Sequence, residues 1–315
     1  MSEATPPTPS LPEKPTSRTG RIVGIAVAVV AVIVAVVLIA VNVSAGGSSQ
    51  AAKAVTIKIG TTEEAAPYWG PLKKAAAKEG IDIQVVGFRD YTQANPALAD
   101  KQIDLNLFQH LQFLANYDVS AKQDLVPIAS TLVVPLPLYS SKYTSVAQIP
   151  RGAKIAIPND ATNQARALLV LQKAGLLKLR NGGNTLATPA DVDASASRVS
   201  VIPVDAAQTA PALGSADGAI VNNNFALTAG LDPKSALFQD DPKSQTAEPY
   251  INAFVARAAD KDNKTYLKVA ELYHSKAVTD AVLAESKNTA VIVQRPQSQL
   301  ISILDKLKST ISAAE

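Results

Sequence analysis

The sequence contains no cysteine, and only one Trp, one Met and two His in 315 residues. Without thiols there can be no disulfide, no zinc–thiolate centre and no thiol nucleophile, and no acceptor for a thioether-linked lipid exists within these residues. Also lacking are a Gly-rich phosphate loop, an H-E-x-x-H pair and a G-x-S-x-G turn. The common arrangements for phosphoryl transfer, zinc proteolysis and serine hydrolysis therefore have no footing. Net charge is only +3, from 30 basic and 27 acidic residues. With no basic stripe and no RNA-binding motif, nucleic acid is not an expected partner. The expectation is a protein that is not an enzyme and has no cofactor and no metal.

Charge is entirely missing from Ile22 to Val43, IVGIAVAVVAVIVAVVLIAVNV. At about 1.5 Å per residue, that run is long enough to cross a bilayer as a helix. Lys14, Arg18 and Arg21 precede it, and the next charge is Lys53. The positive-inside bias puts residues 1–21 in the cytoplasm and the bulk of the chain outside the cell membrane. A cleavable secretory signal ending near Val43-Ser44-Ala45 is the competing reading, although its apolar core would be unusually long. Residues 1–21, rich in proline and small polar side chains, read as a disordered tail. Residues 44–54 read as a flexible tether.

From residue 55 onward, short β-branched runs alternate with helical patterns. Strands are expected at 55–60, 81–86, 103–108, 153–157, 199–204, 218–221 and 250–257. Helices are expected at 64–79, 96–101, 109–117, 161–174 and 206–213, with two or three more before residue 313. The apolar run Leu125–Tyr139 is broken by Pro127, Pro135 and Pro137. Alternation of this kind implies an α/β fold with parallel sheets covered by helices. Two such series, with proline-marked crossings near 135 and 249, suggest two lobes: 55–134 plus 249–315, and 135–248. Ligands of such sheets bind beyond the carboxyl ends of the strands, in the cleft between lobes.

Three segments put polar or aromatic groups at those ends. Pro158-Asn159-Asp160-Ala161-Thr162-Asn163 stops a strand and starts a helix that Asp160 or Thr162 can cap. Asn163 and Arg166, three apart, share one face of that helix. Its free N–H groups and the guanidinium fork suit a carboxylate; a surface Arg on a capped helix is the plainer alternative. Tyr68, Trp69, Phe88, Tyr91, Phe108, Phe113 and Tyr117 crowd into one stretch of a chain with six Phe and eight Tyr. Core packing explains most such clusters, but Tyr91, Phe108 and His110 follow strands directly, where they reach the cleft mouth. Aromatic edges there suit an apolar or thioether side chain. The other histidine, His274, lies in a polar helical stretch and reads as surface. Asn222-Asn223-Asn224 follow a buried strand, either as a capped turn or as amides aimed into the cleft.

Together these residues resemble the NlpA/MetQ family, the methionine-binding proteins of ABC importers. The likeness runs from about Val55 into the C-terminal helices. Its markers are Asp90-Tyr91 with Asn95, Asn106-x-Phe108-Gln109-His110, Pro158-Asn159-Asp160 with Asn163 and Arg166, Asn222-Asn223-Asn224-Phe225-Ala226, and Pro249-Tyr250. The resemblance implies a two-lobed periplasmic-binding-protein fold that closes on L-methionine or a similar small amino acid, with an ABC permease and its ATPase as partners. It implies that Arg166 grips the carboxylate, that Asn163 and Asn222 or Asn224 complete the polar contacts, and that Tyr91, Phe108 and His110 line the side-chain pocket. Two departures stand out. The family's lipid-modified Cys is replaced by the membrane helix, and Val134 and Pro137 occupy positions where many members carry Glu and Gly. The second departure opens the alternatives of another apolar amino acid or a small peptide; a surface sensor or adhesin of the same fold is the other.

Overall fold

The computed structural model describes residues 54–314. The expected tail, membrane helix 22–43 and all but the last residue of the tether lie outside the described residues. No helix among the described residues is long and apolar enough to cross a membrane.

The strands are β1 Val55–Thr61, β2 Ile81–Gly87, β3 Leu105–Asn106, β4 Leu125–Ser130, β5 Leu132–Val133, β6 Pro137–Tyr139, β7 Ala153–Pro158, β8 Val199–Val204, β9 Gly218–Ile220, β10 Phe238–Gln239, β11 Ala253–Arg257 and β12 Val291–Ile292. The α-helices are α1 Trp69–Lys78, α2 Ala94–Ala99, α3 Leu111–Ala121, α4 Ala161–Lys173, α5 Asn223–Thr228, α6 Lys264–Tyr273, α7 Lys276–Glu285 and α8 Gln297–Ser312.

Two five-stranded sheets and an antiparallel β5–β12 pair organise them. The first has the order β2-β1-β3-β11-β4, with β1 parallel to β2 and β3, and β11 antiparallel to its neighbours. The second has the order β10-β6-β9-β7-β8, with β7 parallel to β8 and β9. Each is covered on both faces, as parallel α/β sheets require. Ile57, Ile59 and Phe254 of the first sheet pack against Leu72, Val269 and Tyr273 on one side, while Leu111, Leu300 and Leu304 close the other. In the second sheet Ile155 and Ile157 meet Leu168 and Leu171 of α4. Each such fully buried aliphatic side chain contributes roughly 1.5–3 kcal/mol of transfer free energy.

The chain crosses between the sheets twice, and the crossings pair with each other. Thr131 N–H donates to Asn252 C=O, and Asn252 N–H to Leu132 C=O, both at 2.8 Å. Between them they form a two-strand strap at the base of the cleft.

Several elements differ from expectation for identifiable reasons. α1 begins at Trp69 rather than 64, because the Glu63 carbonyl is claimed by the Trp69 indole N–H at 2.7 Å and the Ala66 N–H at 3.0 Å, which folds 63–68 as a turn. β3 ends at Asn106, so Phe108 and His110 lie beyond its end and line the cleft. The stretch 206–213 splits into two 3-10 turns, Ala206–Gln208 and Pro211–Gly214, since Pro211 has no N–H to continue an α-helix. β11 starts at Ala253 rather than 250, because Gln245–Tyr250 forms a 3-10 turn before it. His274 is not a surface residue: it is half-buried, and its Nε2 lies 2.8 Å from the Ser130 carbonyl.

Candidate functional site

Strand ends converge on one cavity: Leu107 and Phe108 follow β3, Asn163 and Arg166 lie on the helix that follows β7, and Asn222 follows β9. Arg166, Asn163, Asn222, Asn224, Tyr91, Phe108 and His110 all line that cavity, which encloses about 880 Å³ of space free of atoms, part of it open to solvent.

Arg166 is the buried charge of the site, only 3% exposed. It reaches the cavity because Asp160 caps α4, accepting from the Asn163 N–H at 2.9 Å, which fixes where the first turns begin. Its Nε and Nη2 donate to the Asp240 carboxylate at 2.8 and 3.2 Å, and Nη2 also donates to the Val134 carbonyl at 2.8 Å. The guanidinium carbon lies 4.1 Å from the centre of the Tyr250 ring, a cation–π stack. One edge of the fork is thus taken by Asp240, and Nη1 is the nitrogen with no protein partner among the described residues. The pairing compensates a charge that would otherwise be costly to bury. Asp240 accepts additionally from the Leu136 N–H at 2.7 Å, so the pair is tied to the crossing segment.

Asn163 is the hub of a polar chain. Its Nδ2 donates to both Asp160 carboxylate oxygens, at 3.0 and 3.2 Å. Its Oδ1 accepts from Asn222 Nδ2 at 2.9 Å and lies 3.3 Å from His110 Nε2. His110 caps α3, with Nδ1 accepting from the Phe113 N–H at 3.1 Å. An accepting Nδ1 puts the imidazole proton on Nε2, which then donates to Asn163. Burial, and secondarily the Arg166 charge, lower the His110 pKa to about 3, so the ring is neutral. Asn222 Oδ1 is buried without a hydrogen-bond partner, an acceptor left over at the cavity wall.

The aromatic wall is larger than the sequence alone indicates. Tyr91 packs against Phe108, Phe113 and Phe225 with ring centres 6.0, 5.9 and 5.1 Å apart. The Tyr91 hydroxyl donates to Asn224 Oδ1, and Asn224 Nδ2 donates to Thr62 Oγ1 at 3.3 Å. Asn224 therefore bridges from the second sheet's side of the cleft to the first. Burial holds the Tyr91 phenol well above its ordinary pKa. Asn95, Asn106 and Gln109 form a buried triangle of amides behind the loop: Asn106 Nδ2 donates to Asn95 Oδ1 at 2.9 Å, and Gln109 Nε2 to Asn106 Oδ1 at 2.9 Å. It supports Phe108 and His110 from below.

Sequence reasoning missed Asp240, Phe113, Phe225 and Glu63. Phe113 and Phe225 lay inside segments already singled out. Asp240 had no local signal, since its partner is far away in the chain.

Two α/β lobes joined by paired crossings, with a cavity of convergent polar and aromatic groups between them, define a substrate-binding-protein fold. The family model described as NlpA lipoprotein matches residues 57–294, and the chain belongs to that family. A probable D-methionine-binding lipoprotein MetQ of Haemophilus influenzae is 37% identical over 209 residues, 65% of this chain and 75% of that protein. The substrate-binding protein of a methionine transporter from Streptococcus pneumoniae is 38% identical with a TM-score of 0.71, covering 76% of this chain and 95% of that one. A nutrient-binding protein from Burkholderia cenocepacia, solved bound to methionine, is 35% identical with a TM-score of 0.70, covering 75% and 99%.

Proposed function

We propose that the protein is an extracytoplasmic substrate-binding protein that delivers methionine to an ABC importer. The observation that carries this reading is the buried Arg166 facing a cavity whose opposite wall is aromatic. A carboxylate finds Nη1 of an otherwise compensated guanidinium, an ammonium finds the unpartnered Asn222 Oδ1, and a thioether finds the rings of Tyr91, Phe108 and Phe113. Asn163 and Asn224 act by orienting His110, Asn222 and Tyr91. Relatives named or solved as methionine-binding support the choice of ligand. A binding rather than catalytic role agrees with His110: both its ring nitrogens are engaged, by Phe113 N–H and by Asn163, leaving neither as a free base. Calorimetric titration of the full chain in detergent with L-methionine, D-methionine and L-alanine tests the reading. Micromolar or tighter binding of methionine in one or both hands supports it, and no binding of either hand sinks it.

The lobes correspond to residues 55–134 with 249–315, and to 135–248. For retention at the membrane we infer the helix 22–43, because this sequence has no Cys for lipid attachment although its family is described as lipoproteins. The hold of such a helix far exceeds that of one acyl chain, and the tether 44–54 keeps the lobes near the permease. Membrane fractionation with detergent release is the expected behaviour; a mature protein beginning near Gly46 and recovered from the medium points instead to a cleaved signal.

A further inference from the structure

The cavity does not end at the aromatic wall. Its lining continues past the rings to Glu63, Tyr68, Thr131, Tyr273, Glu285 and Ser286, which form a chamber of the same cavity. The chamber has a distinctive composition: two carboxylates and two phenol rings, with no compensating cation. Among the described residues no Lys or Arg pairs with Glu63 or Glu285. The recorded side-chain partner of Glu63 is the Tyr68 hydroxyl, which donates to Oε2 at 3.2 Å. The Tyr68 and Tyr273 rings meet edge to face, with centres 5.9 Å apart and planes at 74°.

A second observation independently marks the chamber as a place where something binds. Thr131 is 0% exposed and lines the cavity, and its Oγ1, which faces the Tyr273 hydroxyl, makes no hydrogen bond of ordinary length and angle. A buried hydroxyl left unsatisfied is costly unless a ligand or water completes it.

We propose that this chamber is a cation subsite that receives a positively charged end of the ligand, an ammonium or sulfonium group, with Glu63 as counter-ion and the Tyr68 and Tyr273 rings as walls. Onium groups are drawn both to carboxylates and to aromatic faces. The proposal rests on the amino-acid reading above for the other end of the ligand, whose carboxylate lies towards Arg166. The ligand class is then an amino acid that carries a second positive charge at the end remote from its carboxylate. Plain methionine leaves the chamber to water.

The groups facing Glu63 give the site a pH signature. They are Glu285 at the end of α7, Tyr68 before α1, Tyr273 at the end of α6, and more distantly Tyr91. Burial, then the charge of Glu285, raise the Glu63 pKa to about 7. Above that value the carboxylate is ionised and attracts a cation; below it the neutral acid does not.

The test compares S-methyl-L-methionine, which adds one methyl and one positive charge, with L-methionine by calorimetry on the full chain in detergent. The expected result is at least tenfold tighter binding of the sulfonium at pH 8, with the preference shrinking towards none at pH 6 and in Glu63→Gln at pH 8. Should Glu63→Gln not fold, the pH dependence of the preference in the unsubstituted protein decides alone. Methionine binding as tightly as the sulfonium at pH 8 overturns the subsite and leaves the methionine reading standing. Sulfonium binding without methionine binding supports the subsite and overturns that reading. No heat with either ligand overturns both.

Discussion

Asp240 holds the guanidinium of Arg166 through two hydrogen bonds, from Nε and Nη2, while the Tyr250 ring stacks beneath it. The pair joins helix α4 to the segment after β10, and Asp240 also anchors the Leu136 N–H of the crossing. If Arg166 holds the ligand as proposed, affinity and the geometry of the crossing should be coupled through this one contact.

Removing either partner should therefore have two effects. Arg166→Ala should cost at least about 3 kcal/mol of ligand binding, and Arg166→Lys should recover only part, because an ammonium lacks the planar fork. Asp240→Ala leaves the guanidinium buried and uncompensated, so the ligand-free protein should lose more stability than the ligand-bound one. Melting temperatures with and without methionine check this: the ligand-induced rise should be larger in Asp240→Ala than in the unsubstituted protein. An equal rise, or unchanged affinity in Arg166→Ala, removes Arg166 from the site.

Phe108 stands against Tyr91 and Phe113 with ring centres 6.0 and 5.8 Å away. Phe108→Ala should weaken methionine binding by about 2–3 kcal/mol and alanine binding much less, since alanine has no side chain to contact the lost ring. Equal losses for both ligands would put Phe108 in the lobe core.

The Tyr91–Asn224–Thr62 chain bridges the cleft where it is buried. The Lys287–Asp232 ion pair, at 2.7 Å, links α7's end to the segment after α5, but both side chains are close to half exposed. An exposed pair is worth about 0–1 kcal/mol, so the buried chain should dominate closure. Asn224→Ala strands the Tyr91 hydroxyl at a cost of about 1–3 kcal/mol, whereas Tyr91→Phe, which leaves the ring contacts intact, should cost less. Ligand dissociation rates by stopped flow should rise more for Asn224→Ala than for Tyr91→Phe and hardly at all for Lys287→Ala; the reverse order would make the surface pair the latch.

Stability should peak in mildly acidic solution. Folded His110 stays neutral down to about 3, while its ordinary value is 6.5. Between those values the unfolded chain binds more protons, so its contribution is complete above about 6.5 and is lost as pH falls towards 3. Glu63 has the opposite sign. Folded, it keeps its proton up to about 7 against an ordinary 4.5, so its contribution is complete below 4.5 and is lost as pH rises through 7. The His110 limb is on the order of 5 kcal/mol and the Glu63 limb on the order of 3 kcal/mol. Denaturant midpoints at pH 4, 6 and 8 should show Glu63→Gln gaining on the unsubstituted protein at pH 8, and His110→Asn gaining at pH 4. Parallel profiles would mean that neither group governs the pH dependence.

Much of this protein was legible in sequence. Strand ends followed by polar or aromatic residues, at Asp160, Phe108 and Asn222, marked where the cavity would be, because side chains beyond a parallel strand's carboxyl end have only the cleft to enter. Apolar runs placed β1, β2, β7 and β8 to within a residue, nearly continuous in the covered strand β7 and alternating in the edge strand β2, where one face is buried. The start of α4 followed from Asp160, whose carboxylate is a local cap. Tertiary structure alone decided what each group does there. Arg166 is committed along one edge because Asp240 arrives from a distant segment. Asn163 is spent on Asp160, His110 and Asn222 rather than left open. Glu63 became a cavity residue because the Trp69 indole bent its segment away from the expected helix. Caps and strand periodicity are short-range and repeat along the chain, so they can be read from it. Charge pairing and amide satisfaction depend on which groups meet in three dimensions, and only the packed fold sets that.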